Sequence, residues 1–108
     1  MKRLLFLLLL MVLPLFATTS TIMKLEIKGA IGPASSYYLK EGMAAALQQN
    51  AQMMLIELDT PGGLSTSTRE MIQEITNSTF PVIIYVSPKG ARAASAGTYL
   101  IYASHVAA

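Results

Sequence analysis

The chain has 108 residues, 53% hydrophobic and 13% charged, with a formal net charge of +2 and no cysteine. The lack of cysteine excludes disulfides and any thiolate metal site. Beyond the N-terminus the basic residues Lys24, Lys28, Lys40, Arg69, Lys89 and Arg92 are scattered, which excludes the basic stripe that nucleic acid requires; neither nucleic acid nor a cofactor is expected.

Lys2 and Arg3 precede an unbroken apolar run from Leu4 to Leu13, then Pro14, Leu15, Phe16 and Ala17, then a Thr/Ser cluster over 18–21. A basic start, an apolar region and small residues behind it describe a secretory signal over 1–20. The run is short against the about 20 apolar residues of a membrane span. Ala17 is the natural residue before a cut, but Leu15 departs from the small-x-small pattern, so an uncleaved N-terminal anchor stays open. Either way the remainder is expected to be exported and membrane-associated. A buried amphipathic helix is disfavoured, because this stretch has no polar face.

Beyond residue 20 there is room for one small domain. From Met23 to Lys28 apolar Leu25 and Ile27 alternate with Lys24, Glu26 and Lys28, the pattern of a strand with one wet face at or near a sheet edge. Gly29 to Pro33 breaks it. A helix follows from Ser35 or Ser36, with Leu39, Met43, Ala46 and Leu47 as its apolar stripe. Met53 to Leu58 is a compact apolar run, and Asp59-Thr60-Pro61-Gly62-Gly63 behind it suits a strand end. Ser65 or Ser67 can cap the next helix, where Thr68, Ile72 and Ile75 share one face and Arg69, Glu70, Gln73 and Glu74 cover the other.

Pro81 then opens Val82 to Val86, a β-branched run typical of a strand covered on both faces. Ser87-Pro88-Lys89-Gly90 turns the chain. Ala93 to Tyr102 reads as a mostly apolar, buried helix. The order β-α-β-α-β-α with short connections predicts parallel strands and right-handed crossovers. A three-stranded parallel fragment of this size leaves much apolar surface open, since only about 60% of the unfolded surface can be buried. The expectation is therefore the front part, residues 22–108, of a larger α/β domain.

Two turns draw the chemistry together. The loop Asp59–Gly63 and the stretch Gly90-Ala91-Arg92-Ala93-Ala94-Ser95-Ala96-Gly97 each follow a strand, so a parallel sheet places both at its carboxyl edge, where α/β folds keep their sites. Ser95, at the expected first turn of the last helix, gains the positive end of the helix dipole. Ala94 and Ala96 leave room for a substrate. Gly62 and Gly63 can bring backbone N–H groups close to a developing oxyanion, and the Ala96 N–H is a natural second donor. A serine in an Ala/Gly-rich helix start is more commonly a cap, and Pro-Gly-Gly more commonly a plain turn. These residues by themselves are compatible with acyl transfer and do not single it out.

Taken together, Leu58-Asp59-Thr60-Pro61-Gly62-Gly63, Pro81-Val82-Ile83-Ile84-Tyr85-Val86 and Gly90 to Thr98 resemble the NfeD family of membrane-bound serine proteases, in the ClpP/SppA-like clan. Ile27-Lys28-Gly29-Ala30-Ile31-Gly32-Pro33 is similar to that family's first strand. The resemblance implies a ClpP/crotonase-like α/β fold with a mainly parallel sheet, and peptide hydrolysis by a Ser–Lys dyad. Ser95 would be the nucleophile, Gly62 and Gly63 the oxyanion loop and Ala96 the adjacent donor. The family's general-base lysine lies some tens of residues after the serine, beyond Ala108. It implies as well a protein or peptide substrate, with stomatin-like membrane proteins as plausible partners, and homo-oligomers.

No other residue fills the base's place. Lys89 reads as a solvated loop charge. His105 falls about 15 Å along a continuing helix from Ser95, beyond the about 3 Å a base needs, and suits a helix end or strand start. Asp59 before Thr-Pro is explained by a bond to its own backbone. The 108-residue chain is thus expected to have negligible peptidase activity. An acyl-thioester enzyme of crotonase type and a non-catalytic membrane-anchored interaction module remain the alternatives.

Overall fold

The computed structural model describes residues 1–11 and 19–108. The expected cut beside Ala17, with Leu15 before it, lies outside the described residues. Lys2–Met11 forms helix α1, whose described side chains are exposed. Among the described residues no helix is long and apolar enough to cross a membrane.

Alternation makes β1 (Ile22–Lys28), with Leu25 and Ile27 buried and Lys24, Glu26 and Lys28 exposed. The chain continues through α2 (Pro33–Gln48), β2 (Met53–Asp59), α3 (Ser65–Thr76), β3 (Val82–Val86), α4 (Ala96–Ala103) and β4 (Val106–Ala107). The strands pair in parallel in the order β1-β2-β3-β4, which is the mainly parallel α/β architecture the sequence predicts. Strand β4 was foreseen only as one option, through His105 as a helix end or strand start. Its two residues, Val106 and Ala107, are too few to show a period.

The core lies on one face of this sheet. Leu25, Ile56 and Ile84 share one register row and Met54 pairs with Val82 in another; all five are buried. Each such side chain contributes roughly 1.5–3 kcal/mol by leaving water. Helix α2 adds Leu39, Met43 and Ala46 to it, and α3 adds Met71 and Ile75. Gly42 lets α2 approach, since a methyl group there would come within 2.6 Å of Leu25 Cδ1.

The opposite face departs from expectation. Strand β3 is not covered on both sides: Tyr85 is exposed and Ile83 only half-buried. Strands added in sequence order by crossovers of one hand place every connecting helix on the same side. The other side carries Leu55, Ile83 and Val106 in one row, with the Lys24–Glu57 ion pair (3.0 Å) beside them.

Helix boundaries also shift. Helix α2 begins at Pro33, which needs no N–H donor in the first turn; Ser35 sits at its third position and exchanges hydrogen bonds with Gly32, both 2.9 Å. Leu47 is exposed rather than in the stripe, because eight residues turn a helix about 80° past Leu39. Helix α3 starts after Leu64, without a side-chain cap from Ser65 or Ser67, and Ile72 is half-buried while Met71 takes the core position. Helix α4 starts at Ala96, not Ala93, and only Ala96, Gly97 and Leu100 are buried; Tyr99 and Tyr102 are exposed. The residues before it are held as an extension of the sheet by a bridge between Thr60 and Ala93.

Candidate active site

The two turns do meet at the carboxyl edge of the sheet. Leaving β2, Thr60 donates its N–H to Arg92 O (2.7 Å) and its carbonyl accepts from Ala94 N–H (3.1 Å). On the other side Gly29 N–H donates to Asp59 O and Ile31 N–H to Gly62 O, both 2.9 Å, while Leu64 N–H donates to Ile31 O (3.0 Å). The segments following β1, β2 and β3 are thus laced into one continuous rim.

Ser95 stands on that rim as the N-cap of α4, one position before the helix rather than in its first turn. Its φ of 50° and ψ of −113° are rare for a residue with a Cβ, and its side chain makes no capping hydrogen bond. A non-glycine residue held in this region costs on the order of 1–3 kcal/mol, and such conformations gather at functional sites. The conformation lifts the side chain off the helix: Ser95 is exposed although Ala96 and Gly97 behind it are buried.

Gly62, at φ 108°, lies directly against Ser95; a methyl group on it would come 2.7 Å from Ser95 Cβ and 3.2 Å from Oγ. Its N–H is not open, as the sequence had suggested, because Thr60 Oγ1 accepts it at 3.1 Å. Gly63 is pressed on the backbone of Ile31, where no Cβ would fit. Its N–H and that of Ala96 meet no protein acceptor among the described residues. For Ala96 this follows from its place in the first turn of a helix. Two unengaged donors, one from each turn, thus belong to residues that line one cleft with Ser95.

A cleft of about 390 Å³ opens beside them, lined by Gly63 and Ser95 from the rim, Thr68, Arg69 and Ile72 of α3 and Tyr99 of α4. The half-buried Ile72 and the Tyr99 ring give it apolar walls. Arg69 adds one positive charge. Among the described residues no cluster of side chains could hold a metal ion.

The candidate bases fall away on position. Lys89 is exposed on the β3–α4 turn. His105 sits at the opposite end of the sheet, where its Nδ1 accepts Val82 N–H at the start of β3 (3.1 Å). Asp59 does not bond its own backbone: its Oδ1 accepts Arg92 N–H (3.1 Å), across 33 residues. Thr60 makes the local bond in its place. Neither the Asp59 nor the Thr60 contact was foreseen for this rim, although the adjacency of both to Pro-Gly-Gly was the available signal.

A parallel α/β sheet with its connecting helices on one face and its turns laced along the carboxyl edge is the fold of the ClpP-like proteins. The chain superimposes on ClpP1 of Listeria monocytogenes with a TM-score of 0.67 over 76% of its length and 46% of that chain, at 17% identity, a likeness of fold. It is 46% identical over 83 residues to the membrane-bound protease PH1510 of Pyrococcus horikoshii, spanning 77% of this chain and 19% of that protein. To the membrane protein NfeD1b of Bacillus subtilis it is 30% identical over 91 residues, 83% of this chain and 20% of that one. The solved 1510-N membrane protease of Pyrococcus horikoshii, specific for a stomatin homolog, matches with a TM-score of 0.77 and 41% identity, over 83% of this chain and 45% of that one. A lysine-to-alanine variant of 1510-N, solved with a substrate peptide, gives 0.80. No protein-family model matches the chain. The chain is a homologue of the NfeD-family membrane proteases, with the ClpP-like fold of their N-terminal domains. It spans about a fifth of the length of the curated relatives it matches and under half of the solved chains.

Proposed function

We propose that this chain carries the nucleophile and oxyanion loop of a serine endopeptidase of the NfeD type, acting on apolar segments of membrane-associated proteins. The observation that carries the reading is Ser95 itself: exposed, held at φ 50°, with Gly62 against it and with Gly63 and Ala96 lining the same cleft. Attack by its Oγ on a scissile carbonyl would develop negative charge on the carbonyl oxygen. Donors fixed in advance at that point typically supply a factor of about 10²–10³ each. In this revised assignment Gly63 and Ala96 donate, while Gly62 gives the substrate close access to the serine.

The hydroxyl needs a base, and the reading assigns that role to a lysine outside these 108 residues, deprotonated through burial. Among the described residues His105 is engaged at the far end of the sheet and Asp59 with the Arg92 N–H. The preference of the solved 1510-N protease for a stomatin homolog supports a stomatin-like membrane protein as the partner here, and the apolar cleft agrees with such a substrate. Residues 1–20, as signal or anchor, would place residues 22–108 on the extracytoplasmic side of a membrane, in a homo-oligomeric enzyme.

The test compares two proteins on a peptide from an apolar stomatin-like segment. The 108-residue chain is expected to cleave it negligibly, and the chain extended with the remaining part of a relative's protease domain efficiently, with all cleavage and all labelling by a serine-reactive phosphonate lost in Ser95→Ala. Unchanged cleavage by Ser95→Ala would refute the assignment of the nucleophile. Efficient cleavage by the 108-residue chain would refute the external base.

A further inference from the structure

One residue touches both halves of this rim. Thr60 is fully buried, its backbone bonds Arg92 and Ala94 of the serine turn, and its methyl group faces Gly97 of α4, where an added Cβ would come within 2.7 Å of Thr60 Cγ2. Its hydroxyl turns the other way. Oγ1 accepts Gly62 N–H (3.1 Å) and donates to Gly62 O (3.3 Å). The same carbonyl also accepts Ile31 N–H (2.9 Å).

A peptide unit is planar and trans, so its C=O and N–H point in opposite directions. The carbonyl of Gly62 and the N–H of Gly63 belong to one such unit. Holding Gly62 O against Thr60 and Ile31 therefore turns the Gly63 N–H away from them, to the side where Gly63 lines the cleft with Ser95. With glycine at both positions the loop has little conformational preference of its own. We infer that Thr60 is the positioning residue of this site: its hydroxyl fixes the Gly62–Gly63 peptide and so aims the Gly63 N–H, while its backbone and methyl group fix the serine turn to the same frame. This rests on the reading of the site as a serine peptidase.

Valine replaces the hydroxyl by a methyl group of similar size, and serine keeps the hydroxyl while losing the methyl group. In the 108-residue chain, Thr60→Val is expected to speed amide hydrogen exchange at Gly62 by about five- to tenfold, the factor that one ordinary hydrogen bond represents. Ile56 and Ile84 should remain protected, which shows that the sheet is intact. Thr60→Ser should keep Gly62 close to wild type. In the chain extended with the remaining part of a relative's protease domain, Thr60→Val should lower kcat on the order of ten- to a hundredfold, less than outright loss of a donor, with KM little changed and with recovery in Thr60→Ser.

If Thr60→Val keeps full kcat while Ser95→Ala abolishes cleavage, the positioning role falls and the peptidase reading stands. If Thr60→Ser is as impaired as Thr60→Val, the packing of the methyl group governs, and the role given to the hydroxyl is overturned. If Ser95→Ala retains activity, it is the peptidase reading that fails, and exchange at Gly62 still decides whether Thr60 holds the loop.

Discussion

Gly62 and Ser95 come from turns 33 residues apart in the chain, yet a single methyl group on the glycine would meet the serine Cβ at 2.7 Å. The contact explains why a flexible residue is needed on the β2 side of the rim. Gly62→Ala would place a Cβ at φ 108°, at a cost of roughly 1–2 kcal/mol for the left-handed backbone, and would push Ser95 aside. Its thermal midpoint is expected to fall by about 4–8 °C per kcal/mol in a domain of this size. Gly63→Ala should be worse, because its Cβ would sit on the Ile31 carbonyl oxygen and part the two segments. Circular dichroism melts check the order: wild type above Gly62→Ala, with Gly63→Ala lowest or unfolded. Equal midpoints for the two variants would contradict this account of the loop.

The Asp59 carboxylate ties the same two turns through Arg92 N–H. Its site is half-buried, so the bond lies toward the lower part of the range for hydrogen bonds to charged groups, about 1.5 kcal/mol. Asp59→Ala removes the acceptor and is expected to lower the midpoint by several degrees and to speed exchange of the Arg92 amide. Asp59→Asn retains an oxygen there and should recover most of the loss. Equal loss in both variants would show that charge, rather than the hydrogen bond, is what the turn requires.

Much of the architecture was legible because it rests on short-range patterns. Alternation gave β1, the run Val82 to Val86 gave β3, and the Pro-Gly-Gly and Ser-Ala-Gly turns fell on the sheet edge because parallel strands leave them nowhere else. Ser95 was found as a residue, but its backbone was not: φ 50° follows directly on the sheet extension bridged between Thr60 and Ala93, a contact across 33 positions that no local window contains. The occupied N–H of Gly62 was hidden for the opposite reason. Thr60 reaches only two residues on, but Thr-Pro-Gly-Gly allows several turn geometries, and the tertiary bond from Ile31 to Gly62 O selects among them. Helix α4 was drawn too long because its small apolar residues suit helix and sheet extension alike. The open face of β3 reflects strand order, which a β-branched run does not encode.

Strand β4 offers a separate test, because its attachment depends on one side chain as well as on its ladder. His105 donates its N–H to Val82 O (2.9 Å) and accepts Val82 N–H on Nδ1 (3.1 Å), so it satisfies both backbone groups of Val82 on the β4 edge at the amino end of β3. An Nδ1 that accepts is unprotonated, which places the ring's hydrogen on Nε2 in this pairing. His105→Ala leaves the Val82 N–H without that acceptor. The expected result is faster amide exchange at Val82, about five- to tenfold for one ordinary hydrogen bond, with a loss of roughly 1 kcal/mol in stability. Ala108 N–H, which donates to Ile84 O further along the same edge, should exchange faster too if the side chain anchors the strand. His105→Asn can present an amide oxygen near the same place and should restore part of the protection at Val82. Should Val82 exchange stay at the wild-type rate in His105→Ala, the backbone pairing alone would be holding β4.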